Sequence, residues 1–145
     1  MIFWDSSAVV PLILEEPASG PATAILEGDP DMVVWWATRV ECLSAIARRE
    51  ADGTLARADA DAARRGIARL ATGWNEVLAS ERVREHATRL LRTHTLRAAD
   101  ALQLAAALTW AQGRPRQHLV CTLDARLADA ARREGFELEM TIGRA

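Results

Sequence analysis

The first eight residues constrain this chain most. Ile2, Phe3 and Trp4 form a short apolar run that suits a buried strand. Asp5 ends the run, Ser6 and Ser7 follow, and a second apolar stretch runs from Ala8 to Leu14. A carboxylate at the C-terminal tip of a buried first strand lies where open α/β sheets place their ligand crevice.

The pattern recurs downstream. Ser6 to Leu14 reads as a short helix or turn, with Pro11 where a missing N–H is tolerated. Ser19 can cap a second helix that has Pro21 in its first turn and Gly28 past its end. Asp29-Pro30-Asp31 is a turn. Met32 to Trp36 reads as the second strand. Thr38 starts a helix to about Ala51, with Val40, Leu43 and Ala47 on one face and Glu41, Ser44, Ala45 and Arg48 on another. Residues 55 to 72 form an Ala- and Arg-rich helix with Ala63, Ile67 and Leu70 as its stripe. Asn75 to Leu78 is a further strand candidate. Ser80 caps a helix striped by Val83, Ala87, Leu90 and Leu91. Residues 98 to 112 are apolar on nearly all sides, the mark of a buried helix. His118 to Thr122 is a strand, Leu123-Asp124 turns into a helix ending before Gly135, and Glu137 to Ile142 is a last strand. Strands alternating with helices predict an α/β sandwich with a mostly parallel sheet.

Length and composition fit one domain over residues 1–145. Half the residues are apolar and 26 % are charged, which places the chain among soluble globular proteins. No apolar run approaches the roughly 20 residues of a membrane span. The N-terminus runs straight into a strand with no basic region, so no signal peptide is expected. Cys42 and Cys121 have apolar flanks and read as buried free thiols of a cytoplasmic protein. The net charge of −2 predicts no nucleic-acid binding by itself. All 18 basic residues are Arg, whose guanidinium suits bidentate phosphate contacts. Arg39, Arg48, Arg49 and Arg126 flank acids and are the candidates for such contacts.

Four acids stand in unusual surroundings. Asp5 ends the first strand, and Glu41 follows the second by one helical turn. Asp100 opens the apolar helix, and Asp124 follows the fourth strand candidate. In a parallel sheet such positions converge on one edge. Four carboxylates in one pocket would raise one another's pKa values, and a divalent cation removes that cost. All-oxygen ligands suit Mg²⁺ or Mn²⁺. Such an ion can activate water and stabilise charge developing on a phosphodiester.

The stretches FWDSSAVVPLIL, TRVECLSAIARRE, LRAADALQLAAAL and VCTLDARLADAARREGF resemble the four acidic motifs of PIN-domain ribonucleases, and most of all the VapC-type toxins. The resemblance spans nearly the whole chain, in order. It implies a PIN-like three-layer sandwich and Mg²⁺- or Mn²⁺-dependent endonucleolytic cleavage of RNA. It also implies a homodimer and a small antitoxin partner. By motif match Asp5, Glu41, Asp100 and Asp124 are the acidic quartet, and Ser6 and Thr122 are hydroxyl positions near it. Gln103 sits where many relatives carry His, a departure that bears on substrate contacts.

Each acid also has a purely structural reading. Asp5 and Asp124 suit helix N-caps. Thr38-Arg39-Val40-Glu41 has the form of a capping box. Arg97 could pair with Asp100 at i+3. His86, His94 and His118 lack zinc-ligand spacing and read as surface or packing residues. Trp35 and Trp36 face opposite sides of a strand and suit core packing or a dimer contact. Two other functions compete: a catalytically inactive PIN-like module that binds RNA or protein, and a phosphatase with Asp5 as nucleophile. The second lacks both an acid at position 7 and any lysine.

Overall fold

A computed structural model describes residues 1–139. Its five strands are β1 (Ile2–Trp4), β2 (Met32–Trp35), β3 (Asn75–Val77), β4 (Leu119–Cys121) and β5 (Glu137–Glu139). They form one sheet in the order β3-β2-β1-β4-β5. Among the described residues every neighbouring pair is parallel, so the sheet there is wholly rather than mostly parallel. Residues 140–142 of the expected last strand lie outside the described residues.

Among the described residues seven helices cover the sheet: α1 (Ser6–Val9), α2 (Ser19–Gly28), α3 (Thr38–Ala51), α4 (Arg57–Ala71), α5 (Glu81–Thr93), α6 (Ala98–Ala111) and α7 (Ala125–Glu134). Pro11 does not continue α1; the chain tightens there into a 3₁₀ turn over Val10–Leu12. A second such turn spans Pro115–Gln117 just before β4.

Alternation along each strand builds two cores. Phe3, Val33, Trp35 and Val120 turn to one face and pack with Leu90, Leu104 and Leu127 from α5, α6 and α7. Ile2, Trp4, Met32, Val34 and Cys121 turn to the other, against Val9, Cys42, Ile46 and Ile67. Burying a side chain such as Phe3 stabilises the fold by roughly 1.5–3 kcal/mol. The central strands are apolar on both faces because helices lie on both, which gives the three-layer α/β sandwich.

Helix α6 is buried almost throughout, from Ala101 to Ala111, as its all-round apolar character predicts. Helix α3 departs from expectation. Its buried positions are Thr38, Cys42 and Ile46, while Val40 is 67 % exposed. Val40 lies beside the adjacent acid, Glu41, and both line one open cavity. Leu91 on α5 is likewise exposed rather than part of the stripe. Ser80 caps α5 by accepting the Val83 N–H. Ser19 is not a cap: its hydroxyl donates to the Leu14 carbonyl at 2.8 Å and accepts the Glu16 N–H at 2.9 Å. His118 lies before β4 and meets Trp110 edge-on. Both thiols are buried and free, and burial pushes each up to about 12.

His94, at the end of α5, meets Glu134 of α7 at 2.8 Å, and Arg89 also binds that carboxylate. Burial would raise Glu134's pKa, but the hydrogen bonds from Arg89 and His94 bring it below the ordinary value. Glu134→Ala leaves His94 half of a buried pair and should destabilise the fold by about 1–3 kcal/mol. Urea unfolding at pH 7 measures this. The loss should shrink as pH falls through the lowered folded pKa, because protonating Glu134 breaks the same pair.

Candidate active site

Sheet order reverses direction at β1. The chain runs outward from β1 through β2 to β3, then returns to lay β4 on β1's other side. Loops leaving β1 and β4 diverge there and open a crevice beyond the strands' C-terminal ends. Asp5 leaves β1 and Asp124 follows β4 by three residues. Asp100 enters from the first turn of α6 and Glu41 from the first turn of α3. All four line one cavity of about 520 Å³, together with Ser6, Ser7, Ser44 and Arg48.

Asp5 is the most deeply set, at 3 % exposure. Its backbone N–H continues the β1–β4 ladder to the Cys121 carbonyl at 3.0 Å. Its carboxylate accepts the Thr122 hydroxyl at 2.9 Å, the Ser7 N–H at 3.3 Å and the Ser7 hydroxyl. Asp5 is thus the N-cap of α1 and a wall of the cavity at once. Burial raises its pKa, Asp124's charge adds to this, and the Ser7 and Thr122 hydrogen bonds oppose it.

Asp124 has the same double place. Its Oδ1 caps α7 by accepting the Leu127 N–H at 2.9 Å. Thr122 Oγ1 accepts the Asp124 N–H at 3.1 Å, so one hydroxyl braces both aspartates. Ser7 was not among the residues that sequence singled out. Its Oγ donates to Asp5 and accepts the Leu123 N–H at 2.9 Å, tying the loop after β4 to the loop after β1. Its position two residues past a capping Asp was the available signal; the link to Leu123 had none.

Glu41 does not form the expected capping box. Ala37 is the cap residue of α3 and makes no side-chain cap bond. Thr38 turns inward to accept the Gln103 Nε2–H at 3.0 Å. Glu41 accepts Gln103 Nε2 at 3.1 Å through Oε1 and the Ser6 hydroxyl at 3.1 Å through Oε2. Burial raises its pKa; Asp5 and Asp100 raise it further, against the Ser6 and Gln103 hydrogen bonds. Gln103 is wholly buried and its side-chain contacts are with Thr38 and Glu41.

Asp100 makes no ion pair with Arg97 among the described residues. Burial raises its pKa, followed by the charges of Asp124 and Asp5, while Arg97 and Arg126 act through space to lower it. Of the four candidate phosphate contacts, Arg48 lines the cavity and Arg126 lies within electrostatic reach of Asp100. Arg49 is bound to Glu16 instead, and Arg39 points to solvent on α3.

The donors are all oxygens: four carboxylates from four elements, with hydroxyls behind them. That set fits a hard divalent cation. Burial first, and then the neighbouring carboxylates, raise the proton affinities of Asp5, Glu41 and Asp100, a cost that a cation would offset. Among the described residues no three His, Cys, Asp or Glu side chains already form a closed ligand cluster.

The PIN domain family model matches residues 2–133. Comparison with curated proteins gives no significant match. Several solved structures share the fold. FitAcB from Neisseria gonorrhoeae superposes with a TM-score of 0.65 at 17 % identity, covering 97 % of each chain. VapC20 from Mycobacterium tuberculosis, described as a toxin cleaving the sarcin–ricin loop, gives 0.64 at 20 % identity, covering 90 % of this chain and 95 % of its own. A toxin–antitoxin complex from Klebsiella pneumoniae gives 0.64 at 15 % identity, covering 87 % of this chain and 88 % of that one. With the family match spanning nearly all of the described residues, this chain belongs to the PIN domain family.

Proposed function

We propose that this chain is a Mg²⁺- or Mn²⁺-dependent endoribonuclease of the VapC type, the toxin of a toxin–antitoxin pair. The observation that carries the reading is the convergence of Asp5, Glu41, Asp100 and Asp124 on one cavity at the switch point of a PIN-domain sheet. The three fold neighbours, one a toxin described as cleaving the sarcin–ricin loop and another a toxin–antitoxin complex, favour it further.

In this reading Asp5 and Asp100 are the main metal ligands, and Asp124 and Glu41 complete the set. The bound ion supplies charge stabilisation at a phosphodiester and a more readily deprotonated water. The chain's own groups do the rest. Ser7 and Thr122 fix the Asp5 carboxylate, and the Leu127 N–H fixes Asp124. Either Glu41 or Asp124 accepts the proton of the attacking water. Arg48 and Arg126 meet the flanking phosphates, which guanidinium groups bind well.

The protein acts in the cytoplasm as one domain over residues 1–145. Its partners are RNA, a small antitoxin and a second copy of itself. Trp36 and Leu78 are exposed apolar residues, and the Trp36 N–H meets the Val77 carbonyl, so the two are neighbours. That patch suits the dimer contact. The antitoxin buries apolar surface near residues 8–50, where a groove of about 950 Å³ runs between Leu12–Glu15 and α4. No described helix is long and apolar enough to cross a membrane.

Cleavage of labelled single-stranded and structured RNA tests the reading. Cleavage should require Mg²⁺ or Mn²⁺, stop in EDTA and vanish in Asp100→Ala. Cleavage that survives EDTA would contradict it.

A further inference from the structure

We infer that Gln103 and Thr38 form a buried polar pair whose task is to hold the Glu41 carboxylate in the acid cavity, making Gln103 a positioning residue. The inference rests on the proposed metal site for its consequence but not for its geometry.

Both residues are 0 % exposed, and Gln103 sits on the otherwise apolar helix α6. Glu41 and its neighbours fix which way the amide points. An ionised carboxylate only accepts hydrogen bonds, so the amide must turn its NH₂ to Glu41. Nε2 then serves two acceptors, Glu41 Oε1 at 3.1 Å and Thr38 Oγ1 at 3.0 Å. The consequence is an orphan. Gln103 Oε1 is buried with no hydrogen-bond partner among the described residues.

Packing alone does not account for this arrangement. A Met at position 103 and a Val at position 38 would fill similar space without any buried polar atom. A buried acceptor left unpaired costs stability, and removing both members of a polar pair is often neutral or stabilising. What the apolar pair could not do is grip Glu41. Position 41 needs that grip. Its carboxylate is partly buried beside Asp5 and Asp100, so repulsion favours a rotamer turned to solvent. With Gln103 on one oxygen and Ser6 on the other, the carboxylate is held from both sides.

The test is the double variant Thr38→Val/Gln103→Met, with Gln103→Met alone as the second variant should the double fail to fold. Three quantities are read: melting temperature, Mn²⁺ affinity by calorimetry, and the Glu41 position in a metal-free crystal structure. We expect an unchanged or higher melting temperature and a Glu41 turned out of the cavity. Mn²⁺ affinity should fall by roughly ten- to a hundredfold, the usual loss when a residue behind a metal ligand is removed. A Glu41 that keeps its place overturns the inference, as does wild-type Mn²⁺ affinity in the variant. If the wild-type chain binds no Mn²⁺, the metal reading fails instead, and the Glu41 position alone decides the role of Gln103.

Discussion

Asp5→Asn should abolish cleavage while leaving the fold intact. Asparagine keeps an oxygen to accept from Ser7 and Thr122, so the junction of β1 with the loop after β4 survives. It loses the charge that a cation needs. Metal stabilisation of a developing phosphate charge is worth several kcal/mol. At about 1.4 kcal/mol per tenfold, that is on the order of a thousandfold in rate. Removing the charge should also relieve the fold. The folded state disfavours ionised Asp5, first through burial and then through Asp124. The metal-free variant should therefore melt no lower than wild type at pH 8. Single-turnover cleavage beside a melting curve checks both halves. A variant that cleaves at the wild-type rate would remove Asp5 from the site.

Divalent metal should stabilise the wild-type chain, and most at neutral to alkaline pH. Asp5, Glu41 and Asp100 bind their protons more tightly folded than unfolded, chiefly through burial and then through one another and Asp124. Their contribution to stability is therefore complete below about pH 4, where unfolded carboxyls are also protonated. It is lost as pH rises through the raised folded values. The metal-free protein should thus lose part of its stability as pH rises above the ordinary carboxylate range. A cation at a hundred times its Kd adds about 2.7 kcal/mol. For a chain this long that is roughly 5–10 °C in melting temperature. Melting scans with EDTA and with Mn²⁺ at pH 5.5 and pH 8 measure it. A larger Mn²⁺ effect at pH 5.5 than at pH 8 would reverse the predicted sign.

Much of this was legible in the residues. Short apolar runs bounded by acids located β1, β2 and β4, because a strand buried on both faces leaves few other patterns. The four acids were visible for the same reason: each interrupts apolar sequence at an element boundary. What sequence could not supply was the partner of each polar group. Thr38 and Glu41 have the spacing of a capping box, yet both turn inward because Gln103, 62 residues beyond Glu41, offers them an amide. Ser19 has the residue type of a cap but bonds across its own turn. Val40 shares a helix face with Leu43 and Ala47, yet it is exposed and lines the acid cavity beside Glu41. At Thr38 and Glu41 the local pattern lost to a contact between distant segments, and at Ser19 to bonds within its own turn.

The most direct measurement is a Mn²⁺ titration followed by calorimetry on the wild-type chain, Asp5→Asn and Asp100→Asn, each shown to be folded. If the four carboxylates form a cation site, wild type binds Mn²⁺ and both variants lose most of that affinity. Wild-type binding retained in both variants would place the cation elsewhere and contradict the account.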